Sequence, residues 1–136
     1  MSRFVVDCSV TMAWAFENQS NDYTRGILSR LVRDDASVPA IWPLEVANSL
    51  AVAERRRTFS RAASEGFVAR LAALSIFVTE DTHKRALREI LALARERNLS
   101  AYDASYLELA MRLGLPLATR DEALRRAARA LGVFLA

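Results

Sequence analysis

Asp7, Glu45, Asp103 and Asp121 are the residues of this chain whose types and spacing could do chemistry together. Asp7 closes a short apolar run. Glu45 follows Pro43 in what reads as a first helical turn, Asp103 falls in the first turn of a largely apolar helical segment, and Asp121 comes just after another short apolar run. Carboxylates gathered at one place repel each other and are costly to desolvate without a counter-charge. A hard dication removes that cost. Carboxylates and water suit Mg²⁺ or Mn²⁺, and one such ion needs only one or two direct protein ligands. With one cysteine, Cys8, and one histidine, His83, no soft-ligand cluster suits zinc.

Each acid also has a plainer reading. Thr119 and Glu122 spell T-x-x-E, a capping box in which Asp121 merely improves the first turn, and Ser100 with Asp103 spells a similar S-x-x-D. Glu45 stands in a first turn where acids are ordinary, and Asp7 could cap the turn leaving its strand. A helix needs one capping acceptor, however, and the Thr119 and Ser100 hydroxyls already supply it, which leaves Asp121 and Asp103 redundant as caps. Taken as a set, the four point to a metal.

The elements that must position them follow from the apolar spacing. Short runs at Arg3–Val6, Ser37–Ile41, Ile76–Val78, Leu115–Ala118 and Val133–Leu135 read as strands. Helical spacing predicts Asn21–Asp34, Pro43–Arg57, Ala62–Ala73, Thr82–Asn98 with Leu87, Ile90, Leu91 and Ala94 on its inner face, a buried helix over Tyr102–Leu113, and Asp121–Leu131. Strands alternating with helices over short connections imply a mainly parallel sheet covered on both faces, an α/β fold of three layers in one domain spanning residues 1–136. Ligands of such sheets bind beyond the carboxyl ends of the strands, where all four acids fall, and positive helix ends favour anions there.

Composition narrows the chemistry. Apolar residues make up 52% and charged residues 26%, a globular balance that excludes a disordered chain. No apolar run approaches the roughly 20 residues that span a bilayer, and Asp7 interrupts the opening run before a signal-peptide core could form. The lone cysteine fits a reducing compartment, so a cytoplasmic location is expected. The net charge is +3, from 19 basic residues of which only Lys84 is not arginine, against 16 acidic ones that include the four candidates. An acidic, metal-filled pit in an otherwise cationic surface is what phosphodiester hydrolysis requires.

The pattern is familiar. The chain resembles the PIN-domain ribonucleases, in particular the VapC-like toxins of type II toxin–antitoxin pairs. The resemblance is carried by RFVVDCSV at Arg3–Val10, PLEVANSL at Pro43–Leu50, LSAYDASYLELA at Leu99–Ala110 and LATRDEAL at Leu117–Leu124. It implies an α/β/α sandwich, an acidic Mg²⁺ or Mn²⁺ site, endoribonuclease activity on RNA, homodimerisation and inhibition by a cognate antitoxin. Carried over by motif position, Asp7 and Asp103 look like the principal metal ligands. Glu45 and Asp121 look like the remaining acids, which bind a second ion or orient the nucleophile. Ser9 and Thr119 match hydroxyls that support Asp7 and Asp121. Asn48, one helical turn after Glu45, could bind a metal water or a substrate phosphate, and Arg120 could touch RNA.

Other chemistry-bearing residues take the bland reading. Arg125 and Arg129 form a solvated stripe, Trp14, Trp42, Phe59, Phe67, Tyr102 and Tyr106 pack, and Arg55, Arg56 and Arg57 either complement a helix C-terminus or bind phosphate. Two rival functions are an aspartate-nucleophile phosphohydrolase built on Asp7 and an inert RNA- or antitoxin-binding module whose acids only cap helices. The first wants an aspartate where Ser9 stands; the second predicts no metal binding.

Overall fold

A computed structural model describes residues 2–136. Four strands, β1 (Ser2–Val6), β2 (Asp35–Val38), β3 (Ile76–Val78) and β4 (Leu117–Ala118), form one sheet in the order β3-β2-β1-β4, and every pair is parallel. Parallel strands need crossover connections, and helices supply them on both faces. These are α1 (Cys8–Ala13), α2 (Asp22–Arg30), α3 (Trp42–Arg55), α4 (Arg61–Ala72), α5 (Thr82–Arg85), α6 (Leu91–Arg97), α7 (Ala101–Leu113) and α8 (Glu122–Ala130). The three-layer α/β/α architecture expected of the sequence is present.

The core forms where apolar strands meet helix faces. Phe4, Val5 and Val6 of β1 are buried beside Ala36 and Val38 of β2 and Leu117 and Ala118 of β4. Seven consecutive residues of α7, from Ala104 to Ala110, are buried, as an all-round apolar helix requires. Trp42 and Phe67 pack inside, while Tyr102 is exposed, contrary to expectation. Among the described residues no helix is long and apolar enough to cross a membrane.

Three elements depart from the sequence reading. Helix α1 was not expected: with six residues, four of them buried, it carries too short a pattern to show periodicity. The expected last strand is reduced to a single parallel bridge between Leu117 and Phe134, because β4 offers it only two residues. The expected helix over 82–98 is α5 and α6 joined by a π turn at Ala86–Ile90. That wider turn shifts the phase of the helix. Leu87 therefore points to solvent, 85% exposed, and Leu93 joins Ile90 and Ala94 in the core.

Candidate active site

Asp7 leaves the carboxyl end of the central strand β1, and Thr119 leaves the adjacent strand β4. The two ends are stitched together by the Asp7 amide, which donates to the Ala118 carbonyl at 3.1 Å. The Asp7 carboxylate is buried and receives three donors. The Ser9 hydroxyl (2.7 Å) and the Val10 amide (3.1 Å) donate to Oδ1, and the Thr119 hydroxyl donates to Oδ2 at 2.5 Å. Both hydroxyls are themselves fixed: Ser9 Oγ accepts the Arg120 amide (3.1 Å), and Thr119 Oγ1 accepts the Asp121 amide (3.0 Å). Ser9 and Thr119 thus hold the Asp7 side chain, whereas Asp121 is reached at its backbone amide alone.

The capping readings divide. Ser100 caps α7, its hydroxyl accepting the Asp103 amide at 3.0 Å, so the Asp103 side chain is not needed as the cap. At α8 the expectation is reversed. Asp121, not Thr119, is the N-cap, with Oδ2 accepting the Leu124 amide at 2.9 Å, because the Thr119 hydroxyl is turned inward to Asp7. Asp7 likewise caps α1. Two of the four acids thus do cap helices, and each does so with one oxygen.

Glu45, in the first turn of α3, is half-buried and accepts a 2.5 Å hydrogen bond from the Tyr106 hydroxyl. Tyr106 is 1% exposed on α7, three residues after Asp103. Reading the sequence assigned it to packing alone. Its polar tip was discoverable, since residues three apart on a helix share a face and a buried tyrosine hydroxyl wants a partner.

The acids lie close enough to repel. Burial pushes the Asp7 carboxyl up to about 6, and the charge of Asp103 adds to the rise while the three donors oppose it. Burial likewise raises Glu45, with Asp103 adding to it, and burial raises Asp103, with Asp121 adding to it. Asp103 is therefore the centre of the group, felt by Asp7 and Glu45 and feeling Asp121. Among the described residues none of the four pairs with a lysine or arginine, whereas Glu65, Glu89 and Glu96 each meet one. Cys8 stands beside the group, and burial, with Glu45 next, pushes its thiol up to about 12. It remains protonated and inert.

Among the described residues no three Asp, Glu, His or Cys side chains close on a common point as a ready metal cage. Desolvated acids that raise one another's proton affinity, without a cationic partner, nonetheless form a donor set that suits a hard, hydrated dication. Asp103, Asp7, Glu45 and Asp121 are the side chains available to it. Beside them a cleft of about 730 Å³ runs between Gln19, Asn48, Ser49, Arg56 and the edge-to-face pair of Phe16 and Phe59. Asn48 is exposed at this cleft, and Ser49 bonds back to the Glu45 carbonyl (3.0 Å).

The sequence is matched by a family model. The PIN domain model covers residues 4–130. The chain belongs to the PIN domain family. PIN domains are generally nucleases and typically use divalent metal ions. Comparison with solved structures finds PAE2754 from Pyrobaculum aerophilum at 27% identity and a TM-score of 0.70, covering 92% of this chain and 85% of that one. FitAcB from Neisseria gonorrhoeae is similar in fold at 20% identity and a TM-score of 0.62, covering 93% of each chain. A toxin–antitoxin complex from Klebsiella pneumoniae is similar in fold at 15% identity and a TM-score of 0.57, covering 87% of this chain and 86% of that one. No curated protein matches the chain.

Proposed function

We propose that this PIN domain is a Mg²⁺- or Mn²⁺-dependent endoribonuclease and the toxin of a toxin–antitoxin pair. The observation that carries the reading is the acid cluster at the carboxyl edge of the sheet, which among the described residues has no cationic partner although the chain's net charge is +3. Asp7 and Asp103 would hold the metal, with Glu45 and Asp121 completing the acidic set. When bound, the ion supplies charge neutralisation at the scissile phosphate and a water of lowered pKa.

The chain's own residues supply position. Ser9, Val10 and Thr119 fix the Asp7 carboxylate so that it cannot turn away from the site. Tyr106 holds Glu45 at one oxygen and leaves the other free to orient the attacking water. Asn48 and Arg120, at the cleft and beside Thr119, contact the RNA strand. Attack opposite the 3′-oxygen leaves 5′-phosphate and 3′-hydroxyl ends.

The toxin–antitoxin complex among the structural neighbours supports an antitoxin partner, the family resemblance supports a homodimer, and the lone cysteine fits a cytoplasmic location. The test is cleavage of single-stranded RNA by the purified protein with and without Mg²⁺ or Mn²⁺, with the ends mapped, alongside Mn²⁺ calorimetry. Metal-dependent cuts lost in Asp103→Asn are expected. A folded Asp103→Asn protein that cuts at the parent rate overturns the assignment.

A further inference from the structure

Next to the acid cluster, on the far side of Thr119, lies a second pocket of about 290 Å³ whose walls include Tyr23, Thr119, Arg120, Arg125, Arg129 and Phe134. The sequence reading treated Arg125 and Arg129 as a solvated stripe. The structure instead turns them, with Arg120, around one concavity. Its floor is rigid. The Tyr23 ring stacks on Phe134 at 6.0 Å between centroids, and its hydroxyl donates to the Leu135 carbonyl at 2.7 Å. The Arg129 guanidinium lies over the outer part of that floor, 4.9 Å from the Phe134 centroid.

The charges are arranged for an anion. Arg120 is held by neutral Gln19 (3.1 Å), and Arg129 has an aromatic face rather than a carboxylate as its neighbour. Among the described residues, Arg125 alone of the three meets an acidic side chain, the exposed Glu122 at 2.7 Å, in a pair that water screens, and Ala136 also lines the pocket. Tyr23 links this pocket to the acids: burial raises its hydroxyl's pKa, and the charge of Asp7 adds to the rise while those of Arg125 and Arg30 oppose it. The wall between the two sites is Thr119 itself, whose hydroxyl bonds Asp7.

We propose that this pocket is a phosphate subsite that holds a backbone phosphate of the RNA strand flanking the one to be cut. The inference rests on the nuclease reading above. Guanidinium forks match phosphate oxygens, and a pocket sharing a wall with the acids sets the register of the strand. A polyanion entering an acidic site meets repulsion there, and cations immediately beside it offset that repulsion.

The test is equilibrium binding of a fluorescent single-stranded oligoribonucleotide to wild-type protein and to Arg129→Gln, Arg120→Gln and the exposed control Arg88→Gln. All are measured in Mg²⁺ across a salt series, on an Asp103→Asn background so that the strand survives. Losing one phosphate contact should weaken binding several-fold and reduce the slope of log affinity against log salt by about 0.7. Arg129→Gln and Arg120→Gln should each show this, Arg129→Lys should recover the slope, and Arg88→Gln should match the parent. Thermal melts confirm that Arg129→Gln, which loses its ring contact, is folded; Arg120→Gln sits in a loop and carries the test independently. If protein with Asp103 intact cuts RNA while the pocket variants bind like Arg88→Gln, the subsite is overturned and the nuclease reading stands. If intact protein neither binds nor cuts RNA in metal, both fall.

Discussion

Two groups of carboxylates in this molecule have opposite solutions to the same problem. At one end of α7, Asp81 and Glu108 share a single arginine: Arg112 reaches Asp81 Oδ2 at 2.8 Å and Glu108 Oε2 at 2.9 Å, and those acids raise the guanidinium's proton affinity further. At the other end of the same helix, Asp103 lies within electrostatic reach of Asp7, Glu45 and Asp121, and among the described residues none of these pairs with a lysine or arginine. The chain has arginines in abundance, so the missing counter-charge is not a matter of supply. A site completed by its own arginine is structural. At the second group the Asp7 and Glu45 carboxylates are positioned by hydroxyls and a tyrosine rather than by a cation, which is the arrangement the proposed metal would complete.

The contrast can be broken by experiment, and the largest effect is expected at its centre. Asp103→Asn should abolish metal-dependent cleavage while the protein without metal melts no lower than the parent, because repulsion is relieved; cleavage assays with thermal melts in chelator check both. Next comes pH. Asp7 stands at about 6 in the folded chain against an ordinary 3.8, so the metal-free fold should be about 3 kcal/mol less stable above pH 6 than below pH 4 from this group alone. The sign follows from the folded state binding the proton more tightly between those values. Stability is present in full below the unfolded pKa and is lost as pH rises through the folded one. Melts of wild type and Asp7→Asn in chelator from pH 4 to 7.5 isolate the difference, and a flat difference curve would contradict it.

The structural cluster should fail differently. Arg112→Met leaves Asp81 and the buried Glu108 without a partner and should cost about 2 kcal/mol of stability, measured by urea unfolding, with the cleavage rate of the folded fraction unchanged. Smallest is Tyr106→Phe, which removes only the hydroxyl on Glu45. It should cost about 1 kcal/mol of stability and at least about tenfold in cleavage rate, with a displaced pH–rate profile that packing loss alone would not produce.

Much of this arrangement could be read from residue order. Asp7, Glu45, Asp103 and Asp121 stand at strand ends and helix starts because parallel α/β connectivity puts such points on one edge, and apolar runs announce those points. The last helix start misled, since T-x-x-E is a valid local cap and only the inward turn of the Thr119 hydroxyl to Asp7, 112 residues away in the chain, gives the cap to Asp121. The π turn at Ala86–Ile90 was invisible for a related reason. Apolar spacing assumes a constant helical phase, and the shift is settled by which of Leu87 or Leu93 the core can accommodate.

By itself, then, the sequence determined the layer architecture and the family, and it placed four acids at strand ends and helix starts, because periodicity, turn residues and motif spacing are local and survive without packing. Tertiary structure alone decided which acids are free and which cap, that Tyr106 serves Glu45, and that Arg120, Arg125 and Arg129 surround one pocket. Those outcomes depend on side chains distant in the chain and brought within hydrogen-bonding or Coulombic range. Such proximity is created only when the core closes.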